Sequence, residues 1–277
     1  MLANVNGTQL YYTTMGQGRP LMFMHGGLGL DQTLFLPWME LLAKEFQLIF
    51  YDHRGNGRSE RPASLEGVTH DTWAADADAL RQHLGFDKIV LLGHSYGGFL
   101  GQEYALRYQE HLAGLVLIST APDFSNSGTV MQNVLDRSNQ QMVETVASGL
   151  SKPFASDQDY ADFIHTIFPL YFKNTEYAKA VPDGELYSFS SMAHNYVFST
   201  TVPQFNVTPQ LGQIKVPTLV IAGADDWITP AAESVRIHEA IPGSELVVFQ
   251  ESGHMPFIEE QDAFIKTVRD WVNKLPA

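Results

Sequence analysis

The sequence contains no cysteine, only 17 basic residues against 31 acidic ones, and no long uninterrupted hydrophobic run. Each shortage removes a class of protein. Without cysteine there is no thiol nucleophile, no disulfide framework and no Cys-ligated zinc. The formal net charge is −14, and a surface this acidic repels phosphate backbones and anionic headgroups, so neither nucleic acid nor a membrane surface is an expected partner. The longest aliphatic stretches, such as Ile89 to Leu92 and Leu115 to Ile118, are far too short to span a bilayer. The start, MLANVNGTQLYYTTMGQGRP, lacks both a basic opening and an apolar run, so no secretory signal is expected and a cytoplasmic location is. Asn6-Gly7-Thr8 and Asn206-Val207-Thr208 fit the glycosylation sequon, but without secretion they read as turn chemistry.

What is present suits a globular protein. The 277 residues are 44 % hydrophobic and 17 % charged, enough for one large core domain, or a core with an insertion. From residue 9 to about 122, short apolar runs alternate with helical patterns. The expected strands are Gln9 to Met15, Pro20 to Met24, Phe46 to Tyr51, Lys88 to Leu92 and Leu112 to Ser119. Leu34 to Glu45, Thr69 to Leu84 and Tyr96 to Tyr108 are the helices expected between them. Such alternation predicts an α/β fold, a largely parallel sheet flanked by helices. It returns after residue 208, with strands at Val216 to Ala222 and Glu245 to Phe249 and a closing helix at Gln261 to Lys274. Residues 1–122 and 208–277 are therefore expected to form the core. Residues 123–207, which hold 13 of the 28 Phe and Tyr residues but no comparable strand, are expected to form a helical cap over the C-terminal edge of the sheet, where open α/β sheets bind ligands.

The central motif is Gly93-His94-Ser95-Tyr96-Gly97, placed between an expected strand and an expected helix. In G-x-S-x-G the serine occupies a sharp turn, and the flanking glycines allow strand and helix to approach. A serine hydroxyl needs a base to take its proton, and that base needs a third group to orient it. Of ten histidines, His254 is the best candidate, in a Gly253/Pro256-bracketed loop between a strand and the last helix. His70, His83 and His111 read as solvated positions, and His165 and His194 fall in the insertion. For the acid, Asp225 and Asp226 stand together at a strand end, and neighbours in an extended segment point opposite ways, so only one can face His254. The chain has no GxxxxGK[ST], GxGxxG or HExxH, and neither a cofactor nor a metal is expected.

Five ordered motifs then carry a family resemblance over essentially the whole chain: His25-Gly26-Gly27-Leu28-Gly29, Asp52 to Ser59 (DHRGNGRS), the serine motif, Gly223 to Pro230, and Gly253-His254-x-Pro256. The chain resembles serine hydrolases of the α/β-hydrolase fold, in the esterase and proline iminopeptidase-like branch. The resemblance implies Ser95, Asp226 and His254 as catalytic residues, since the family's acid usually precedes a proline by four residues, here Pro230. It also implies an oxyanion hole from the backbone N–H groups of Gly27 and Tyr96. Leu28, Trp227 and Met255 flank these positions and are expected to bind substrate, whereas His25 and Arg54 are expected to organise loops.

The expected partner is a small molecule, with monomer or homo-oligomer left open. An aromatic insertion and a negative field favour a neutral carboxylic ester or lactone with an apolar acyl or aryl group. A proline iminopeptidase-like aminopeptidase or amidase is the alternative. Against it, Leu28 stands where that branch has proline, and no tight glutamate cluster is evident among Glu144, Asp157, Asp159, Asp162, Glu176, Asp183 and Glu185. Serine at the elbow disfavours the aspartate-dependent epoxide hydrolases and dehalogenases. Receptors, lyases, cofactor-free oxygenases and perhydrolases on this fold form a further class.

Overall fold

A computed structural model describes residues 1–36, 38–179 and 188–276. Among them eight strands form one sheet: β1 (Leu2–Val5), β2 (Thr8–Met15), β3 (Arg19–Met24), β4 (Phe46–Tyr51), β5 (Ile89–His94), β6 (Leu112–Ile118), β7 (Thr218–Gly223) and β8 (Glu245–Phe249). Their spatial order is β1-β2-β4-β3-β5-β6-β7-β8, with the β1-β2 and β2-β4 pairings antiparallel and the other five parallel. Five helices accompany the sheet: α1 (His70–His83), α2 (Tyr96–Tyr108), and, numbered with those introduced below, α7 (Ala231–Ala240), α8 (Pro256–Glu259) and α9 (Gln261–Asn273).

The central strands read as unbroken apolar runs because both faces are covered. Every residue of β5 and β7 is buried. Alternate side chains separate into two cores, as a two-residue period requires. Leu91, Leu115, Leu117 and Val220 pack with Trp73, Ala77 and Leu100 of α1 and α2. Val90, Leu92, Val116 and Ile221 pack with Phe264, Val268 and Val272 of α9.

Helix α1 begins where its sequence provides a cap, with the Thr69 and Thr72 side chains bonding each other's backbone N–H. It ends at Gly85, whose φ of +78° suits glycine just past a helix C-terminus.

Two elements depart from expectation. β1 was not anticipated, although Asn6-Gly7 forms the turn that pairs it with β2, with φ of 45° and 70°, the signature of a tight hairpin. The helix expected at Leu34 to Glu45 is instead two short 3₁₀ turns, Gln32–Phe35 and Glu40–Lys44. Leu36 between them is extended, with φ −88° and ψ 137°, because the residue before a proline is driven out of the α region.

Between β6 and β7 lie α3 (Ser127–Arg137), α4 (Gln140–Ser151), α5 (Asp157–Ile167) and α6 (Ser191–Tyr196), with several 3₁₀ turns and a π-type turn at Val197–Thr201. The two ends of this segment are joined by a bridge between Asp123 and Asn206. Its apolar faces build a third core through Val130, Val146, Phe163 and Ile164, which includes Trp227 from beyond β7. Pro182, Asp183 and Glu185 lie outside the described residues. Among those described, no helix is long and apolar enough to cross a membrane.

Candidate active site

Ser95 follows the last residue of β5 and precedes the first of α2, and its backbone stands at φ 55° and ψ −121°. A non-glycine residue held there is strained and needs surroundings that over-determine it. Three bonds do so: its N–H donates to Ile118 O at 2.9 Å, and its carbonyl accepts from Gly98 N and Thr120 Oγ1, each at 2.8 Å. The neighbouring glycines make the turn physically possible. A Cβ on Gly93 would lie 2.4 Å from the Gly97 carbonyl, and one on Gly97 would lie 2.1 Å from that of Met24.

The two adjacent aspartates diverge as their spacing requires. Asp226 is buried and places Oδ2 2.7 Å from His254 Nδ1. Its Oδ1 accepts from Ile228 N and Thr229 N at 3.0 Å each, and Oδ2 also accepts from Thr229 Oγ1 at 2.8 Å. Asp225 is half-exposed and pairs with Arg137 at 2.9 Å. With Asp226 accepting at Nδ1, the proton of neutral His254 belongs on that nitrogen, leaving the Nε2 lone pair free.

The His254 backbone is held at both ends. Its N–H donates to Tyr171 O at 2.7 Å, and its carbonyl accepts from His94 Nε2 at 3.0 Å. Complete burial, then the neighbouring His254, pushes the His94 pKa well below the ordinary histidine value. Glu259 ties down the same loop by accepting from Gly253 N at 2.6 Å and Lys173 N at 2.9 Å.

Ser95 and His254 line one cavity, together with Gly27, Tyr96, Trp227 and Met255. The Gly27 and Tyr96 amides donate to no backbone or side-chain acceptor among the described residues. Gly26 packs its Cα face against Ser95, where an added Cβ would sit 3.0 Å from the serine Cβ. Asn56 Oδ1 accepts from Gly29 N at 2.6 Å and fixes this loop over the serine.

The remaining wall is mostly apolar, with Phe99 from α2 and Phe124, Phe163, Ile164 and Phe198 from the segment between β6 and β7. No Asp, Glu, Lys or Arg lines it among the described residues. Nor, among them, does any group of three His, Asp or Glu side chains stand ready to hold a metal ion.

Leu28, expected to contact substrate, does not line this cavity. Its side chain is wholly buried in the core shared by α1 and α2, and Leu30 and Leu34 reach the cavity instead. His25 and Arg54 organise loops as expected. The His25 ring takes the His53 N–H and lies 4.2 Å from the His53 ring at a tilt of 46°, and Arg54 pairs with Asp76 at 2.6 Å.

His70, read as solvated, is buried, its Nε2 2.8 Å from the Tyr96 hydroxyl. Burial lowers its pKa to about 4. Sequence reasoning also missed Tyr160 and Tyr171, both of which line the cavity. The Tyr171 ring lies 5.3 Å from the His254 ring, and burial, then Asp226, raises its pKa above the usual tyrosine value. The only signal was the aromatic density of residues 123–207, which does not say which rings face inward.

The strand order and the turn that lifts Ser95 into this cavity are those of a hydrolase of the α/β fold. The chain matches the alpha/beta hydrolase fold family over residues 19–261 and belongs to it. Among its relatives is a proline iminopeptidase from Saccharolobus solfataricus, 29 % identical over 97 % of this chain and 90 % of the relative. A thermophilic esterase from Thermogutta terrifontis is similar in structure, with TM-score 0.77 and 25 % identity over 99 % of this chain and 98 % of that one. So is an enol-lactonase from Burkholderia xenovorans LB400, with TM-score 0.73 and 26 % identity over 99 % of this chain and all of that one.

Proposed function

We propose that this protein hydrolyses a carboxylic ester or lactone bearing an apolar acyl or aryl group, through an acyl-enzyme on Ser95. His254 takes the serine proton as Oγ attacks the carbonyl carbon, and Asp226 holds the imidazole tautomer and stabilises the imidazolium. The Gly27 and Tyr96 amides receive the oxyanion. His254 then returns the proton to the leaving oxygen, and the same histidine activates the water that releases the acid.

One observation carries the choice of substrate: the cavity shared by Ser95 and His254 has no carboxylate in its described wall. An aminopeptidase must desolvate a substrate ammonium, and a buried cation without a counter-charge is costly. None of the described acids between β6 and β7 lines the cavity. Asp157 pairs with Arg61 and accepts from Ser191, and Glu176 pairs with Lys179. The named esterase and lactonase relatives support the same reading.

Proline iminopeptidase activity is the second reading, favoured by the relative that carries that name. A panel of aryl esters, lactones and proline arylamide, run beside Ser95→Ala, separates the two. Turnover of esters or lactones, lost in the variant, is the expected result. Faster cleavage of proline arylamide would replace this reading with the second.

A further inference from the structure

We propose that the Trp227 indole N–H and the Tyr171 hydroxyl form a polar subsite for a second oxygen of the substrate, carried on its alcohol half. Most polar side chains lining the cavity are already committed to protein partners. Tyr160 donates to Leu28 O, Tyr96 bonds His70 and Thr201, Asn126 donates to Ile228 O, and His194 bonds Gly149 O. Trp227 and Tyr171 are different. The Trp227 side chain is fully buried and its Nε1–H has no acceptor among the described residues. Nor does the Tyr171 hydroxyl have a hydrogen-bond partner among the described residues, although its backbone carbonyl holds His254 N.

A buried donor without an acceptor calls for an explanation. Packing of the indole in the third core accounts for the ring but not for its N–H. The location supplies the rest. The Trp227 and Tyr171 rings meet edge to face at 5.4 Å, and the Tyr171 ring lies 5.3 Å from His254. The leaving oxygen must sit within reach of the histidine that protonates it, so donors beside His254 flank the alcohol half. The chemistry that matches two neutral donors in an apolar wall is an ether, carbonyl or hydroxyl oxygen a few bonds beyond the scissile one. An anion is not matched, since no Lys or Arg lines the cavity among the described residues.

This subsite rests on the ester-hydrolysis reading, and the experiment keeps the two apart. Binding of pentyl acetate and of its isostere 2-ethoxyethyl acetate, in which an ether oxygen replaces one methylene, is measured by calorimetry on Ser95→Ala protein. The same background carrying Trp227→Phe or Tyr171→Phe is measured beside it. Each replacement deletes a donor and keeps an aromatic ring, and each is expected to lower the ether-to-alkyl affinity ratio about three- to tenfold. Equal ratios in all three proteins overturn the subsite. Turnover of both esters by the unaltered protein is read in parallel. A shifted ratio without turnover would remove the ester-hydrolysis reading and keep the subsite, and turnover with unchanged ratios would do the reverse. Should Trp227→Phe fail to fold, the Tyr171→Phe ratio decides.

Discussion

The Tyr160 hydroxyl donates a 3.1 Å hydrogen bond to the Leu28 carbonyl, joining helix α5 to the loop that carries Gly27. Two further bonds make the same kind of connection. Ser190 N donates to Gly29 O at 2.9 Å, and Tyr171 O accepts from His254 N at 2.7 Å. Tyr96, beside Ser95, reaches Thr201 at 3.0 Å. The segment between β6 and β7 is thus bonded to every loop that carries a candidate catalytic group, the Asp226 loop included, where Asn126 and Asn133 donate to Ile228 O and Trp227 O at 3.1 Å each.

Tyr160→Phe tests whether that bonding sets catalytic geometry. The substitution leaves the Leu28 carbonyl unpaired in a dry interior, which costs about 1–3 kcal/mol. The expected outcome is a kcat about tenfold lower at nearly constant KM, with a lower denaturation midpoint. A variant that loses stability but keeps kcat would reduce Tyr160 to a packing role.

Ser95→Ala is expected to lower kcat at least about 10⁴-fold, and Asp226→Asn to lower it about 10⁴-fold by favouring the wrong imidazole tautomer. Stoichiometric labelling by an organophosphonate should vanish with the serine. Retention of either activity or labelling by Ser95→Ala would remove the nucleophile from the scheme.

Two glycines of α2 give opposite predictions. Gly97→Ala drives a Cβ to 2.1 Å from the Met24 carbonyl, a backbone atom that cannot swing aside. Loss of the folded state, or of several kcal/mol, is expected. Gly101→Ala meets only ordinary contacts, with Leu117 Cδ2 at 3.5 Å, and should stabilise by up to about 1 kcal/mol through helix propensity. Urea midpoints of the two variants check the sign.

Acid should unfold this protein partly through buried histidines. Burial lowers His70 and His194 to about 4 in the folded state, against about 6.5 in an unfolded chain. As pH falls from 6.5 towards 4 the unfolded chain binds protons that the folded one refuses, so stability falls across that window. Each such group contributes up to about 3 kcal/mol. Asp52, raised to about 6 by burial, acts in the opposite sense, binding its proton more readily when folded. His70→Gln is therefore expected to flatten the loss of stability between pH 6.5 and 4.5, read from urea midpoints. An unchanged slope would count against a neutral buried His70.

Much of this architecture is present in the chain as pattern. The strand that ends at His94, the helix that begins at Tyr96 and the glycines between them follow from local rules, because a sharp turn and a close backbone approach exclude side chains. Asp226 and His254 are also legible, as polar residues set just beyond strand ends in loops bounded by Gly and Pro. The sequence by itself determined the fold class, seven of the eight described strands and the residue types at the candidate centre. It left Asp225 and Asp226 equal until spacing to Pro230 was considered, and the 2.7 Å contact with His254 belongs to Asp226.

Only the tertiary structure decided which side chains face the cavity. Leu28 turns into the core while Leu30 and Leu34 reach the cavity, although all three are leucines close together in the chain. His70 is buried against Tyr96 despite sitting at the start of a helix, where sequence reads a polar residue as solvated. Tyr160, Tyr171 and the unpaired Trp227 N–H emerge only when helices far apart in sequence close over the sheet. The reason is physical. Turn and strand preferences depend on neighbours within a few residues, whereas the facing of a loop or helix side chain depends on which distant surface packs against it.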